Sequence, residues 1–173
     1  MNSNQLIKSS VSIILMMIVQ VIFFKNLALF GVAFCFLYTG IILLLPIQVK
    51  PVFALVMAFL LGLILDIFYD SIGIHTAAFV LMAYLRFQWL RVVTPTGGYD
   101  ADITPSTQNL SVSWFASYAF PLLFIHHLAF FYIESISLNI FGFILLKAFS
   151  SAILTLIALI IMQGLFYSKR RTL

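Results

Sequence analysis

The sequence predicts an all-α, polytopic integral membrane protein with six transmembrane helices and both termini in the cytoplasm. Three observations carry this. The 173 residues are 64% hydrophobic and only 8% charged, whereas soluble domains run at about 45–50% apolar and about 25% charged. The apolar residues fall into runs of the length needed to cross a bilayer, about 17–25 positions, with charges at their ends. The basic residues are distributed unevenly between the two sets of connections, which fixes an orientation.

The first span covers residues 11–24, between Lys8 and Lys25. It has a weak likeness to a secretion signal, but no small-x-small cleavage pattern follows, so it reads as a retained helix. A Lys25–Asn26 turn leads to the second span, residues 27–47, closed by Pro46. Gln48–Val49–Lys50–Pro51 breaks the chain before the third span, residues 52–68; proline suits a first helical turn, where its missing N–H is not needed. Tyr69–Asp70–Ser71–Ile72–Gly73 is a tight polar turn before the fourth span, residues 74–90. Residues 93–113 change composition to Thr, Pro, Gly and Asp and read as a solvated cytoplasmic loop. The fifth span, residues 114–133, carries Pro121 internally, and the sixth runs over residues 140–167 before Lys169–Arg170–Arg171. Trp114 and Tyr167 are expected as interface anchors. These spans form a single domain over residues 1–173, with no stretch left for a folded soluble enzyme.

Six crossings place both termini on one side. With that side cytoplasmic, Lys8, Lys50, Arg86, Arg91 and Lys169–Arg171 are retained inside, Lys25 lies outside and Lys147 within a span. The net charge of +4 therefore reports topology; so few charges make no face for nucleic acid. The single cysteine, Cys35, rules out a disulfide framework and a CxxC site.

Ionisable groups inside a membrane span cost a few kcal/mol each, so they are the candidates for function. Asp66 lies about a turn from the outer end of the third span, with Asp70 four residues on and on the same face. His75 opens the fourth span. His126, His127 and Glu134 fall in the outer part of the fifth, and Lys147 lies two turns into the sixth. The expectation is an outward-facing polar cluster in which Asp66 pairs with Lys147, serving a structural or partner-docking role. No metal centre is expected, because the adjacent His126 and His127 point about 100° apart on a helix. No catalytic residue or cofactor is expected either: GxSxG, HExxH and Walker-type loops are absent. Ser10, Ser12, Ser150 and Ser151 read as helix-packing hydroxyls. Gly97–Gly98 is a flexible turn. Gly62 and Gly142 are expected to allow close helix approach. Arg86 and Arg91 are expected at the membrane surface, near anionic lipid or a cytoplasmic partner, chiefly as positive-inside anchors.

The run Phe59-Leu60-Leu61-Gly62-Leu63-Ile64-Leu65-Asp66-Ile67-Phe68, with Gly73-Ile74-His75-Thr76-Ala77-Ala78 and Ala83-Tyr84-Leu85-Arg86, resembles the bacterial rod shape-determining protein MreD family. There a Gly-Leu-x-x-Asp pattern closes one span and a Gly-x-His pattern opens the next. The resemblance implies a non-enzymatic inner-membrane scaffold of the cell-elongation machinery. It implies binding to the bitopic protein MreC, and through it a link between MreB filaments inside and peptidoglycan synthases outside. It also implies a fold similar to the membrane substrate-binding subunits of energy-coupling-factor transporters. Gly62, Asp66, Gly73 and His75 are carried over as motif positions, with Asp70, His126, His127, Glu134 and Lys147 as further docking candidates. A vitamin-like small-molecule binding subunit of a transporter is the alternative.

Overall fold

The computed structural model describes residues 3–100, 103–135 and 141–166, with side chains from 11 to 165 among them. The chain is mostly helical. In order it forms α1 (Ser3–Val19) with a π-helical turn (Gln20–Phe24), strands β1 (Ala28–Leu29) and β2 (Ala33–Phe34), and α2 (Thr39–Leu43). There follow α3 (Pro51–Tyr69), α4 (Ile74–Val92), α5 (Thr107–Leu110), α6 (Val112–Ser135) and α7 (Phe141–Phe166). Three of these, α3, α6 and α7, are long and apolar enough to cross a membrane, and Val11–Phe24 is a shorter apolar helix. The basic run at 169–171, the ends of the expected sixth span and the anchor Tyr167 lie outside the described residues.

The long helices carry an inverted amphipathic pattern. Along α7 the inward positions are Ala148, Ser151, Ala152, Thr155, Leu159 and Gln163, while Phe149, Ile153, Ile157, Ile161 and Leu165 face out. Along α3, Ala54, Ala58 and Gly62 face in, and Val52, Phe53, Val56, Phe59 and Leu60 face out. Small residues inside and large apolar ones outside is the arrangement expected when the surroundings are lipid and helices associate by close packing. Helix α3 packs on α4, α4 on α6, and α6 on α7.

The expected second span is not a helix, and this is the main correction. Residues 27–47 form a two-strand hairpin, an extended stretch and the five-residue α2. Phe30 and Gly31 sit at positive φ in the hairpin turn, and Leu29 pairs with Ala33. From Cys35 to Leu44 the segment is buried, with Tyr38, Ile42 and Leu43 at 0% exposure. A continuous apolar run does not distinguish a lipid-facing helix from a chain segment enclosed by other helices. Buried non-helical backbone is tolerated only where its polar groups are satisfied, and here side chains do so. Ser151 Oγ accepts from Phe34 N at 2.9 Å and Thr155 Oγ1 from Phe36 N at 3.0 Å. Gln20 Nε2 donates to Cys35 O at 3.2 Å, and Tyr118 donates to Leu43 O at 3.0 Å. Arg86 Nη2 donates to the carbonyls of Leu45 and Pro46.

Residues 93–113 are not simply a solvated linker either. Ser106 is 1% exposed and its side chain caps α5 by accepting from Asn109 N. Gln163 of α7 holds the start of α5 by two contacts: its Oε1 accepts from Thr107 N, and its backbone carbonyl accepts from Gln108 Nε2. Ile103 O accepts from Ile47 N, tying this loop to the end of the broken segment.

Close approach of α3 and α4 depends on Gly62. A Cβ there would lie 2.6 Å from Thr76 Cα, a backbone atom that cannot step aside. Gly62→Ala is expected to cost about 3 kcal/mol by forcing the helices apart. At Gly142, a Cβ would meet none of the described residues within 4 Å, so no close helix approach forms there among them, and Gly142→Ala should leave the thermal midpoint unchanged. Melting of the two variants in one detergent checks both statements.

Candidate functional site

The motif residues meet at the turn between α3 and α4. Asp70 takes a left-handed conformation at φ 54° and ends α3; Gly73, at φ 77°, precedes α4. This short turn folds α4 back so that its first amides face the Asp66 carboxylate. Oδ1 accepts from Ser71 Oγ at 2.6 Å, His75 N at 2.9 Å and His75 Nδ1 at 3.1 Å. Oδ2 accepts from Thr76 N at 3.1 Å and Thr76 Oγ1 at 2.6 Å. Asp66 therefore caps α4 from the neighbouring helix. Its charge faces the positive end of the helix dipole, and its lone pairs serve amides that have no partner within α4.

The Ser71 hydroxyl donates to Asp66, so the contact between Ser71 Oγ and His75 Nδ1 at 2.9 Å has the imidazole as donor, which fixes the proton on Nδ1. His75 Nε2 is then a buried acceptor, and among the described residues it has no hydrogen-bond partner. Aromatic rings enclose it, with Tyr69 at 4.5 Å and Phe130 at 4.7 Å between centroids.

All three histidines of the chain converge on Phe36 and Tyr38 of the broken segment. Phe36 stacks on His127 at 5.0 Å and meets His126 edge-on at 5.8 Å, and its ring lies 6.0 Å from His75. Tyr38 Oη and His126 Nε2 are 2.9 Å apart. His127 Nδ1 lies 2.6 Å from Leu123 O, so it donates there; its Nε2 then accepts from Thr155 Oγ1 at 3.2 Å. His126 and His127 are both 0% exposed and brace the interior; they do not complete an outward-facing cluster.

The expected Asp66–Lys147 pair does not form. Asp66 is saturated by its own hairpin, and Lys147 Nζ lies over the rings of Phe131, Phe34 and Phe143 at 4.9, 5.2 and 5.6 Å, a cation–π seat in place of a carboxylate. Among the described residues the salt-bridge contact is His75–Asp66. Asp70 and Glu134 are exposed. Arg86, expected at the surface, is 0% exposed. Its Nε donates to Tyr118 Oη at 2.9 Å. Among the described residues, no group of three or more His, Cys, Asp or Glu side chains is placed to hold a metal ion.

Sequence reasoning missed Gln20, Phe36, Tyr38, Tyr118 and Thr155 as the polar and aromatic frame, and it placed Arg86 at the surface. A usable signal existed for Ser151, Thr155 and Gln163, which share a helix face with small residues. None existed for Phe36, one of 19 phenylalanines.

What the fold and site define is a membrane-type helical bundle whose α3–α4 hairpin is latched by a carboxylate. Comparison with protein-family models, curated proteins and solved structures finds no match to this chain.

Proposed function

We propose that this chain is a non-enzymatic scaffold of the bacterial inner membrane, acting in the cell-elongation machinery as the MreD family does. The observation that carries the reading is the fate of the motif residues. Gly62, Asp66, Gly73 and His75 all serve to build one stiff helix–turn–helix edge, and Asp66 has no lone pair left for chemistry. The tip of that edge is available for contact: Ile72 is 100% exposed and Ile67 75%. Beside them Leu63, Asp66 and Asp70–Gly73 line an open groove of about 510 Å³. A stiff edge with exposed apolar residues and a carboxylate suits a partner protein more than a substrate.

In this reading the chain crosses the membrane six times: α1 with its π-helical turn, the broken segment 27–47, α3, α4, α6 and α7, with both termini cytoplasmic. The hairpin tip then faces outward and binds MreC, which connects MreB inside with peptidoglycan synthases outside. One test is recovery of an MreC-like partner from mildly solubilised membranes. Ile72→Glu and Asp70→Lys should each lower it about tenfold, the effect of losing a modest interface hot spot, with melting unchanged. Full recovery with both variants would remove the tip from the docking surface, and failure of the parent chain to recover such a partner would remove the scaffold reading.

The second reading, a vitamin-binding transporter subunit, is favoured by the interrupted second crossing, since broken segments at membrane depth frequently border binding sites. A small molecule and an ATPase module recovered in the same pull-down would select it.

A further inference from the structure

The opposite end of the bundle carries a second polar feature, independent of the scaffold reading. The first turn of α3, the last turns of α4 and the following loop enclose a cleft of about 270 Å³, lined by Ile47, Pro51, Phe87, Arg91 and Tyr99 among others. Drug-sized pockets run at about 300–1,000 Å³, so this cleft suits a headgroup-sized moiety.

Among the described residues lining the cleft, the charged side chain is Arg91. Arg91 lines the cleft and is exposed, and exposed Lys50 precedes the first residue of α3. Behind the wall lies fully buried Arg86. Its guanidinium carbon is 5.6 Å from the ring of Phe87, and among the described residues its Nη1 has no hydrogen-bond partner and no carboxylate pairs with it. The N-terminus of α3 has no acidic residue in its first turn and no side-chain cap, so the positive end of its dipole is uncompensated. Asp66, Asp70 and Glu134 belong to the other end; the described acid here is Asp100, exposed in the loop. The Tyr99 phenol donates to Leu90 O at 2.8 Å, and burial raises its pKa above the ordinary value, so it adds no negative charge.

The surroundings match a membrane–water interface. Both tryptophans of the chain lie at this end, Trp89 donating to Ser117 O and Trp114 to Val93 O, as in an interfacial aromatic belt. From the cleft rim, exposed Val52, Phe53, Val56 and Leu60 continue along α3 as an apolar wall.

We propose that this cleft binds the phosphate-bearing headgroup of an anionic phospholipid, with Arg91 and Lys50 on the phosphate and an acyl chain along the outer face of α3. Uncharged-lipid contact alone requires neither the cleft nor an exposed arginine in its wall.

The test is native mass spectrometry of the purified full chain offered phosphatidylglycerol, phosphatidylcholine and inorganic phosphate in turn. Wild type is expected to retain phosphatidylglycerol over phosphatidylcholine. Lys50→Gln with Arg91→Gln should lower that retention by about tenfold or more. Both positions are exposed, so melting should not change; raising salt on the wild type should lower retention in the same direction without any substitution. Equal retention of the two lipids, or retention unaffected by both the substitutions and salt, would overturn the proposal. Capture of inorganic phosphate without preference for phosphatidylglycerol would overturn the lipid as its source.

Discussion

Replacing Asp66 by alanine is expected to unlatch the α3–α4 hairpin and destabilise the bundle by about 3–5 kcal/mol, the range for removing one partner of a buried charged network. The carboxylate accepts five contacts. Two come from backbone amides in the first turn of α4, which no residue of that helix can serve. Each buried donor left unpaired costs about 1–3 kcal/mol, and relaxation of Ser71 and Thr76 recovers part of it. Asp66→Asn should lose nearly as much, because its NH₂ group must oppose donors on one side or the other. Cys35 supplies a local reporter: it is the only cysteine and is 1% exposed, so alkylation requires opening. A loss of 3–5 kcal/mol should raise its labelling rate by about 10²- to 4 × 10³-fold. Lys147→Met should leave both melting and labelling near wild type, and the double variant should be additive. Equal damage from Lys147→Met, with strong coupling, would mean that the two charges meet after all.

The same contrast explains how much of the molecule was legible in the sequence. Apolar runs locate helices wherever a helix crosses with one face to its surroundings, as at 52–68, 74–90 and 114–133, which fall inside α3, α4 and α6. They fail at 27–47, because a segment enclosed on all sides is apolar whatever its backbone does, and the side chains that replace its hydrogen bonds lie far away in sequence: Thr155 is 119 residues from Phe36. Asp66 and His75 were legible as neighbours because a four-residue turn joins their helices. The Asp66–Lys147 pairing was not, since position along a span gives height in the bundle and says nothing of which side of a helix faces which neighbour. The spacing of His126 and His127 says only that their rings diverge; their separate partners, Tyr38 and Thr155, are connected to them by no spacing rule. Arg86 was read by its charge alone, although its burial assigns it other work.

That work yields the second large effect. Arg86→Met is expected to cost about 2–3 kcal/mol, because it leaves the carbonyls of Leu45 and Pro46 without a donor where the broken segment leaves the core. Relief of a buried charge with no carboxylate partner offsets some of the loss. Tyr118→Phe should cost about 1–2 kcal/mol, since the phenol accepts from Arg86 Nε and donates to Leu43 O. The double variant should lose less than the sum, as the two side chains share one network. The informative substitution is Arg86→Lys. If residue 86 served only as a cytoplasmic charge that orients the chain, lysine would restore both insertion and stability. A guanidinium that reaches Tyr118 and two carbonyls from one rigid fork is not replaced by a shorter-reaching ammonium. Lysine is therefore expected to preserve orientation, read by protease accessibility of the termini, while recovering no more than about half of the melting loss seen with methionine. Full recovery of melting would return Arg86 to the role of a topology marker, and the exit of the broken segment would then have to be held by Tyr118 and by the backbone contact of Ile47 with Ile103.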